Sequence, residues 1–225
     1  MAAFQPSKRK RSVVRPMAPI EEEEAGAPSK KVRQEPLVFF SRSKDPLARS
    51  LSNSAPSWIQ LEGCSEWYPT VEHAYQVCKS NDPAYTSRFY VPSVADVPLV
   101  GMDARKARAF GCKASFKRLG LTAELDEVHL GFQMVKALEA KFDPNLDDNF
   151  FARALDSTGD RPLHHLEPVP GRWGCHTDAA TGAIKRGQNE LGFILEEIRT
   201  DNRPILAFHA EAEAIRAASA SASAM

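Results

Sequence analysis

Tyr68-Pro69-Thr70-Val71-Glu72-His73-Ala74-Tyr75-Gln76-Val77-Cys78-Lys79 is the stretch on which the reading of this chain turns. Pro69 cannot continue a preceding helix, and the Thr70 hydroxyl can accept from the first free backbone N–H groups, so the pair predicts a helix start. At about 100° per residue, Glu72, Gln76 and Lys79 then share one narrow polar stripe, with Val71, Tyr75 and Cys78 beside it. A carboxylate, an amide and an ammonium on one rigid face form either a reaction site or a solvated surface.

Outward from that helix, read over 71–80, the patterning describes one α+β domain, predominantly helical, with a few short antiparallel strands. Upstream, Leu37–Ser41 is a strand candidate followed by a loop over Arg42–Arg49. Trp58-Ile59-Gln60-Leu61 alternates and, with Gly63 turning the chain, predicts a hairpin with Glu66–Tyr68. Downstream, Pro83, Pro92 and Pro98 break the chain into loops and short helical pieces. Asp103 is an N-cap for a helix to about Leu119, ended by Gly120. Thr122 is read as the cap of the longest helix, to Phe142, with Leu125, Val128, Phe132, Val135 and Leu138 as its buried stripe and Pro144 as its stop. A short helix over Asn149–Asp156 and a Pro- and Gly-rich loop over His164–Lys185 precede a last helix over about Gln188–Thr200. No alternating βαβ pattern argues for a Rossmann sheet.

The 225 residues, 43% hydrophobic, suffice for one substantial core plus tails. Lys+Arg and Asp+Glu both number 29, so no global field favours nucleic acid or membrane. No apolar run approaches the ~20 residues of a membrane span, and no apolar h-region marks a secretory signal. Cys64, Cys78, Cys112 and Cys175 are scattered, which fits reduced thiols in the cytoplasm or nucleus. Residues 1–36 carry eight basic and five acidic residues in blocks and are expected to be disordered. Within them, Lys8-Arg9-Lys10-Arg11 and Lys30-Lys31 are either a two-part signal for a nuclear import receptor or a solubilising tail. The domain is read over 37–203; residues 204–225 are Ala/Ser-rich low complexity, with a frayed helix over Ala207–Ala218.

The 68–79 segment resembles the signature helix of the YbiA-like (NADAR) family. Further stretches resemble that family in collinear order: Phe39-Phe40-Ser41, Leu51-Ser52-Asn53, Met134 through Lys141-Phe142, Leu155-Asp156-Ser157-Thr158-Gly159, Trp173-Gly174, Gly187 through Gly192, and Ile198-Arg199. The resemblance implies an N-glycosidase acting on riboflavin-pathway intermediates or on ADP-ribose attached to nucleobases, with its key Glu at position 72. Cleaving an N-ribosyl bond develops positive charge at the anomeric carbon, and one carboxylate can stabilise that charge and activate water. Without the resemblance, a Glu in a first helical turn merely favours the positive end of the macrodipole.

Around Glu72, the resemblance and the side-chain chemistry suggest substrate roles for Asn53, Gln76, Lys79, Trp173, Gly174 and Asn189. Asn53 and Gln76 would position the ribose and Lys79 would hold phosphate as a point charge. Trp173 would stack on the leaving base, Gly174 would let backbone approach the ligand, and Asn189 would reach substrate or cap its helix. The bland alternatives are a turn at Asn53, a solvated Lys79 and a Trp173 that lids the core. His73 and Tyr75 read as packing residues. Glu167 and His165 are the places to seek a general acid.

No cofactor is expected, and no metal, because His164, His165, Cys175 and His176 match no common zinc spacing. Arg105, Lys106, Arg108, Lys113, Lys117 and Arg118 form a basic stripe, either a solvated face or a contact for ADP-ribosylated nucleic acid. Departures from the family pattern at Ser54, Asp126, His165 and Cys175 suggest altered pocket walls. They keep a rival open, a nucleotide or ADP-ribose reader that retained the pocket and lost turnover, or a scaffold.

Overall fold

A computed structural model of the chain describes residues 34–92, 103–123 and 126–201. The chain divides into two units, Met1–Arg33 and Gln34–Met225, and all that follows concerns the described residues of the second. Expectations for residues 1–33, Pro98, Leu125 and Ala207–Ala218 fall outside the described residues.

Helices dominate and the strands are short, so the α+β, helix-rich expectation is borne out. β1 (Leu37–Phe39) leads into α1 (Pro46–Ser50), where the sequence suggests only a loop; Asp45 caps it by accepting from Leu47 N, and Pro46 occupies a first-turn position that needs no N–H. β2 (Ile59–Gln60) and β3 (Trp67–Tyr68) pair antiparallel, in keeping with the alternation. α2 (Val71–Val77) follows, with the Thr70 hydroxyl accepting from His73 N. α3 (Pro83–Thr86) is one further turn.

The helix expected over 104–119 is two, α4 (Ala104–Phe110) and α5 (Lys113–Leu119). Asp103 caps the first and the left-handed Gly120 ends the second, as the sequence indicates. The break falls at Gly111, whose backbone is pressed against α2: a Cβ there would lie 1.8 Å from Gln76 Oε1. α6 (Glu127–Phe142) starts later than expected, because Asp126 rather than Thr122 accepts the free amides, from Val128 and His129. Of its expected stripe, Val135 and Leu138 are buried, but Val128 is 52% exposed and Phe132 half-buried, and Leu130, Met134 and Lys141 complete the inward face instead. A buried lysine on that face conceals the true phase.

α7 (Phe150–Asp156) is capped by Asn149. The stretch read as loop over His164–Lys185 holds β4 (Leu163–His165), β5 (Cys175–Thr177) and β6 (Ile184–Gly187). β5 and β6 are antiparallel, but β4 pairs with β1 in parallel, so the strands are not all antiparallel. α8 (Glu190–Asp201) closes the domain, burying Leu191, Leu195 and Ile198.

One core runs through these elements, and α2 lies inside it, packed against α6 and α4. All seven α2 residues are buried, including Glu72, His73 and Gln76. A helix buried all round must satisfy its polar side chains internally. That requirement builds the site.

Candidate active site

Glu72 is 3% exposed and Gln76 2%, which removes the solvated-surface reading of the α2 stripe. The Glu72 carboxylate is held from both sides: Asn53 Nδ2 donates to Oε2 and Gln76 Nε2 donates to Oε1, each at 2.6 Å. The Asn53 loop is tied to α2 again through Glu72 N, which donates to Asn53 O at 2.9 Å. Behind that loop, the buried Lys141 ammonium donates to Ser50 O at 2.6 Å and Ser52 O at 2.7 Å. Asn53 is therefore fixed from two directions, and the carboxylate with it.

A cavity of about 220 Å³ opens here, and Asn53, Glu72, Gln76, Lys79 and Trp173 all line it. Lys79 lies just past the α2 C-terminus; its ammonium donates to Gly111 O at 3.2 Å and sits 4.9 Å from the centre of the Tyr75 ring. Tyr75 meets Trp173 edge to face at 5.6 Å, and Arg172 covers that indole at 4.7 Å. Two of the residues singled out are elsewhere. Gly174 packs on Glu167, since a Cβ there would fall 2.3 Å from Glu167 Cγ. Asn189, fully buried with φ 54°, accepts from His165 N and donates to Leu163 O, tying β4 to the start of α8.

Sequence reasoning misses other wall residues or reads them differently: Tyr75, Arg108, Gly111, Cys112, Met134 and Glu167. By sequence, Tyr75 is a packing residue, Arg108 part of a surface stripe, and Glu167 only one place for an acid. No local pattern betrays Arg108; its role comes from an ion pair at 2.6 Å with Glu167, 59 residues away in sequence. His165 does not line the cavity; it stacks on Phe39 at 5.1 Å, and its Nδ1 lies 3.3 Å from Trp173 O. His73, buried beside Thr70 and edge-on to Phe89, is a packing residue. Among the described residues no group of three or more His, Cys, Asp or Glu is placed to hold a metal.

Burial dominates the electrostatics of the site. Burial pushes the Glu72 carboxyl above the ordinary range, while the Gln76 amide, Arg108 and Lys79 pull it back. Burial pushes the Lys79 ammonium down, opposed by Glu72. Burial also works against the Arg108 guanidinium, but Glu167 and Glu72 outweigh it and raise its value. The arrangement can hold one carboxylate in a fixed pose, offer it to a developing cation, and supply positive charge for an anionic group.

A family description, "NADAR domain", matches residues 39–203. The chain belongs to the NADAR family. No curated protein matches it. Its structure is similar to the NMR structure of the E. coli protein YbiA, at 25% identity and a TM-score of 0.51, over 74% of this chain and 84% of that one. NADAR proteins are linked to N-glycosidase activity. Within this family the four departures do not alter the pocket as expected: Ser54, Asp126, His165 and Cys175 all lie outside the cavity wall. Cys175, for example, is buried against Asn189. Ser54 and His165 touch the wall residues Asn53 and Trp173 from outside the cavity, and Asp126 caps α6.

Proposed function

We propose that this NADAR protein hydrolyses an N-ribosyl bond, with an ADP-ribose adduct of a nucleobase or a related riboflavin-pathway-like nucleotide as substrate. The observation that carries this reading is the Glu72 carboxylate, buried on the cavity wall and gripped on both oxygens by amides. Those two hydrogen bonds use two of its roughly four acceptor sites, so the others remain for a ribose or an attacking water. As the bond to the leaving nitrogen stretches, Glu72 faces the growing oxocarbenium charge without having to reorganise. The same carboxylate then takes a proton from water entering at the anomeric carbon. Asn53 and Gln76 fix its pose and flank the ribose. Lys79 contributes positive charge for a phosphate, and Trp173 offers a face to the base.

ADP-ribosylated guanosine or DNA is the substrate to supply, with free ADP-ribose as the readout. Release by the wild type, cut at least ~10³-fold in Glu72→Gln with ligand binding retained, is the expected result. The rival reader has one observation in its favour, the upward push of burial on Glu72, since a neutral acid cannot stabilise a cation. Tight binding of ADP-ribose with no release, indifferent to Glu72→Gln, would establish it instead.

A further inference from the structure

The ion pair of Arg108 on α4 with Glu167, between β4 and β5, has no part in the reaction just described. Its two members occupy different environments: 55% of the Arg108 side chain is exposed and 7% of Glu167, with Nη2 and Oε1 2.6 Å apart. Both line the cavity that holds Glu72. The guanidinium thus stands at the mouth and the carboxylate inside. A half-exposed pair contributes little to stability, and apolar packing would hold the buried side at least as well. Yet the fold makes room for this carboxylate, because any side chain at Gly174 would collide with it.

The cavity, about 220 Å³, is smaller than the ~300–1,000 Å³ of clefts that engulf a whole drug-sized ligand. A substrate larger than a ribosyl-base head must extend past the mouth, where Arg108 waits. Its planar fork of donors matches a phosphoryl group. The neighbouring Arg172 is already engaged, with Nε on Glu190, Nη1 on Glu127 O and its plane over Trp173.

We propose that Arg108 recognises a phosphoryl group of the substrate, and that this exchange of partners frees Glu167 to protonate the leaving nitrogen. The second half rests on the N-glycosidase reading above. Once Arg108 turns to phosphate, the buried Glu167 carboxylate faces Glu72 without its partner. It takes one proton from solvent. As the bond from C1 to nitrogen breaks, its electron pair stays on the base, which receives the Glu167 proton. The water oxygen bonds to C1 and passes its proton to Glu72. Product release returns that proton to solvent and lets the Glu167 carboxylate rejoin Arg108.

The titratable and charged groups around Glu167 are Glu72, Arg108, His165, Cys175 and His176, whose ring nitrogen lies 2.8 Å from Glu167 O. The test must therefore single Glu167 out. ADP-ribose is titrated calorimetrically into the full chain in two buffers of different ionisation enthalpy, with guanosine as the ligand lacking phosphate. The wild type is expected to take up about one proton per ADP-ribose bound. Glu167→Gln should bind without that uptake. Arg108→Ala should bind ADP-ribose at least ~10-fold more weakly, bind guanosine unchanged, and recover in part as Arg108→Lys.

Equal ADP-ribose affinity in wild type and Arg108→Ala overturns the recognition role. Proton uptake that persists in Glu167→Gln overturns the exchange. If binding behaves as expected but no glycosidic bond is ever cut, the hydrolase reading and the proton-donor step fall while phosphoryl recognition by Arg108 stands. Hydrolysis that depends on Glu72 but not on Arg108 or Glu167 removes both roles proposed for the ion pair and leaves the hydrolase reading in place.

Discussion

Gly111 shows how closely the site depends on single atoms. Its backbone touches α2 where a methyl group would sit 1.8 Å from Gln76 Oε1 and 3.2 Å from the Tyr85 hydroxyl. That hydroxyl donates to Gln76 O at 3.0 Å, so both ends of Gln76 are held by this contact region. Gly111→Ala is expected to displace the amide that grips Glu72. Turnover should fall ~10-fold or more, with a stability loss of about 1–3 kcal/mol from overpacking. Steady-state hydrolysis beside a urea melt checks both, and unchanged kcat would sever Gln76 from the reaction. Lys141 makes a second prediction. Burial pushes its ammonium down to about 7, against two carbonyl acceptors and two aromatic rings that favour the cation. Between that value and the ordinary lysine value near ~10.4, the unfolded chain holds a proton the folded chain has released. Stability therefore rises with pH across this window, by up to about 1.4 kcal/mol per pH unit. In Lys141→Met that contribution should vanish, so the difference in unfolding free energy between wild type and variant must change between about pH 6 and about pH 9. Parallel pH curves would refute it. At this scale the sequence is most informative on α2, where cap, stripe and glutamate share one short segment. It is silent on Arg108 and Gly111, whose roles arise from contacts made across the fold.

At the scale of elements, α4 and α5 join two features that the sequence keeps apart. They bring Arg108, Gly111 and Cys112 to the cavity wall, and they carry the exposed basic residues Arg105, Lys106, Lys113, Lys117 and Arg118. A basic surface on the helices that wall the pocket suits a substrate base still attached to a nucleic acid backbone. Replacing Lys113, Lys117 and Arg118 by Glu should weaken the action on ADP-ribosylated DNA while leaving ADP-ribosylated guanosine untouched. The salt dependence of DNA binding should flatten as well, because fewer counterions are released. Equal losses on both substrates would return these residues to the status of a solvated face. The elements also show why strands are harder to read than helices. A helix signals itself through caps and a local period, as Asp103, Asn149 and Gly120 do. Strands of two to four residues carry no period, and β1 finds its partner β4 only across most of the chain. Lys141 misleads for a related reason: its burial is settled by the carbonyls of Ser50 and Ser52, which no pattern along α6 reveals.

For the whole molecule, the packed core draws on residues from Leu37 to Ile198, and the cavity wall on residues from Asn53 to Trp173 within that span. The basic clusters Lys8–Arg11 and Lys30-Lys31 precede it, within the unit Met1–Arg33. Compact basic clusters of this kind suit an import receptor, whereas a purely solubilising tail would depend on total charge and not on position. Replacing Lys8–Arg11 by Ala in a fluorescent fusion too large to diffuse should shift it out of eukaryotic nuclei. The same variant should keep the wild-type unfolding midpoint and rate of ADP-ribose release, since the four residues precede the NADAR match, which begins at residue 39. Moving the four basic residues to another position in the tail, with the charge conserved, separates the two accounts: nuclear accumulation that survives the move would reject a positioned signal, and its loss would support one.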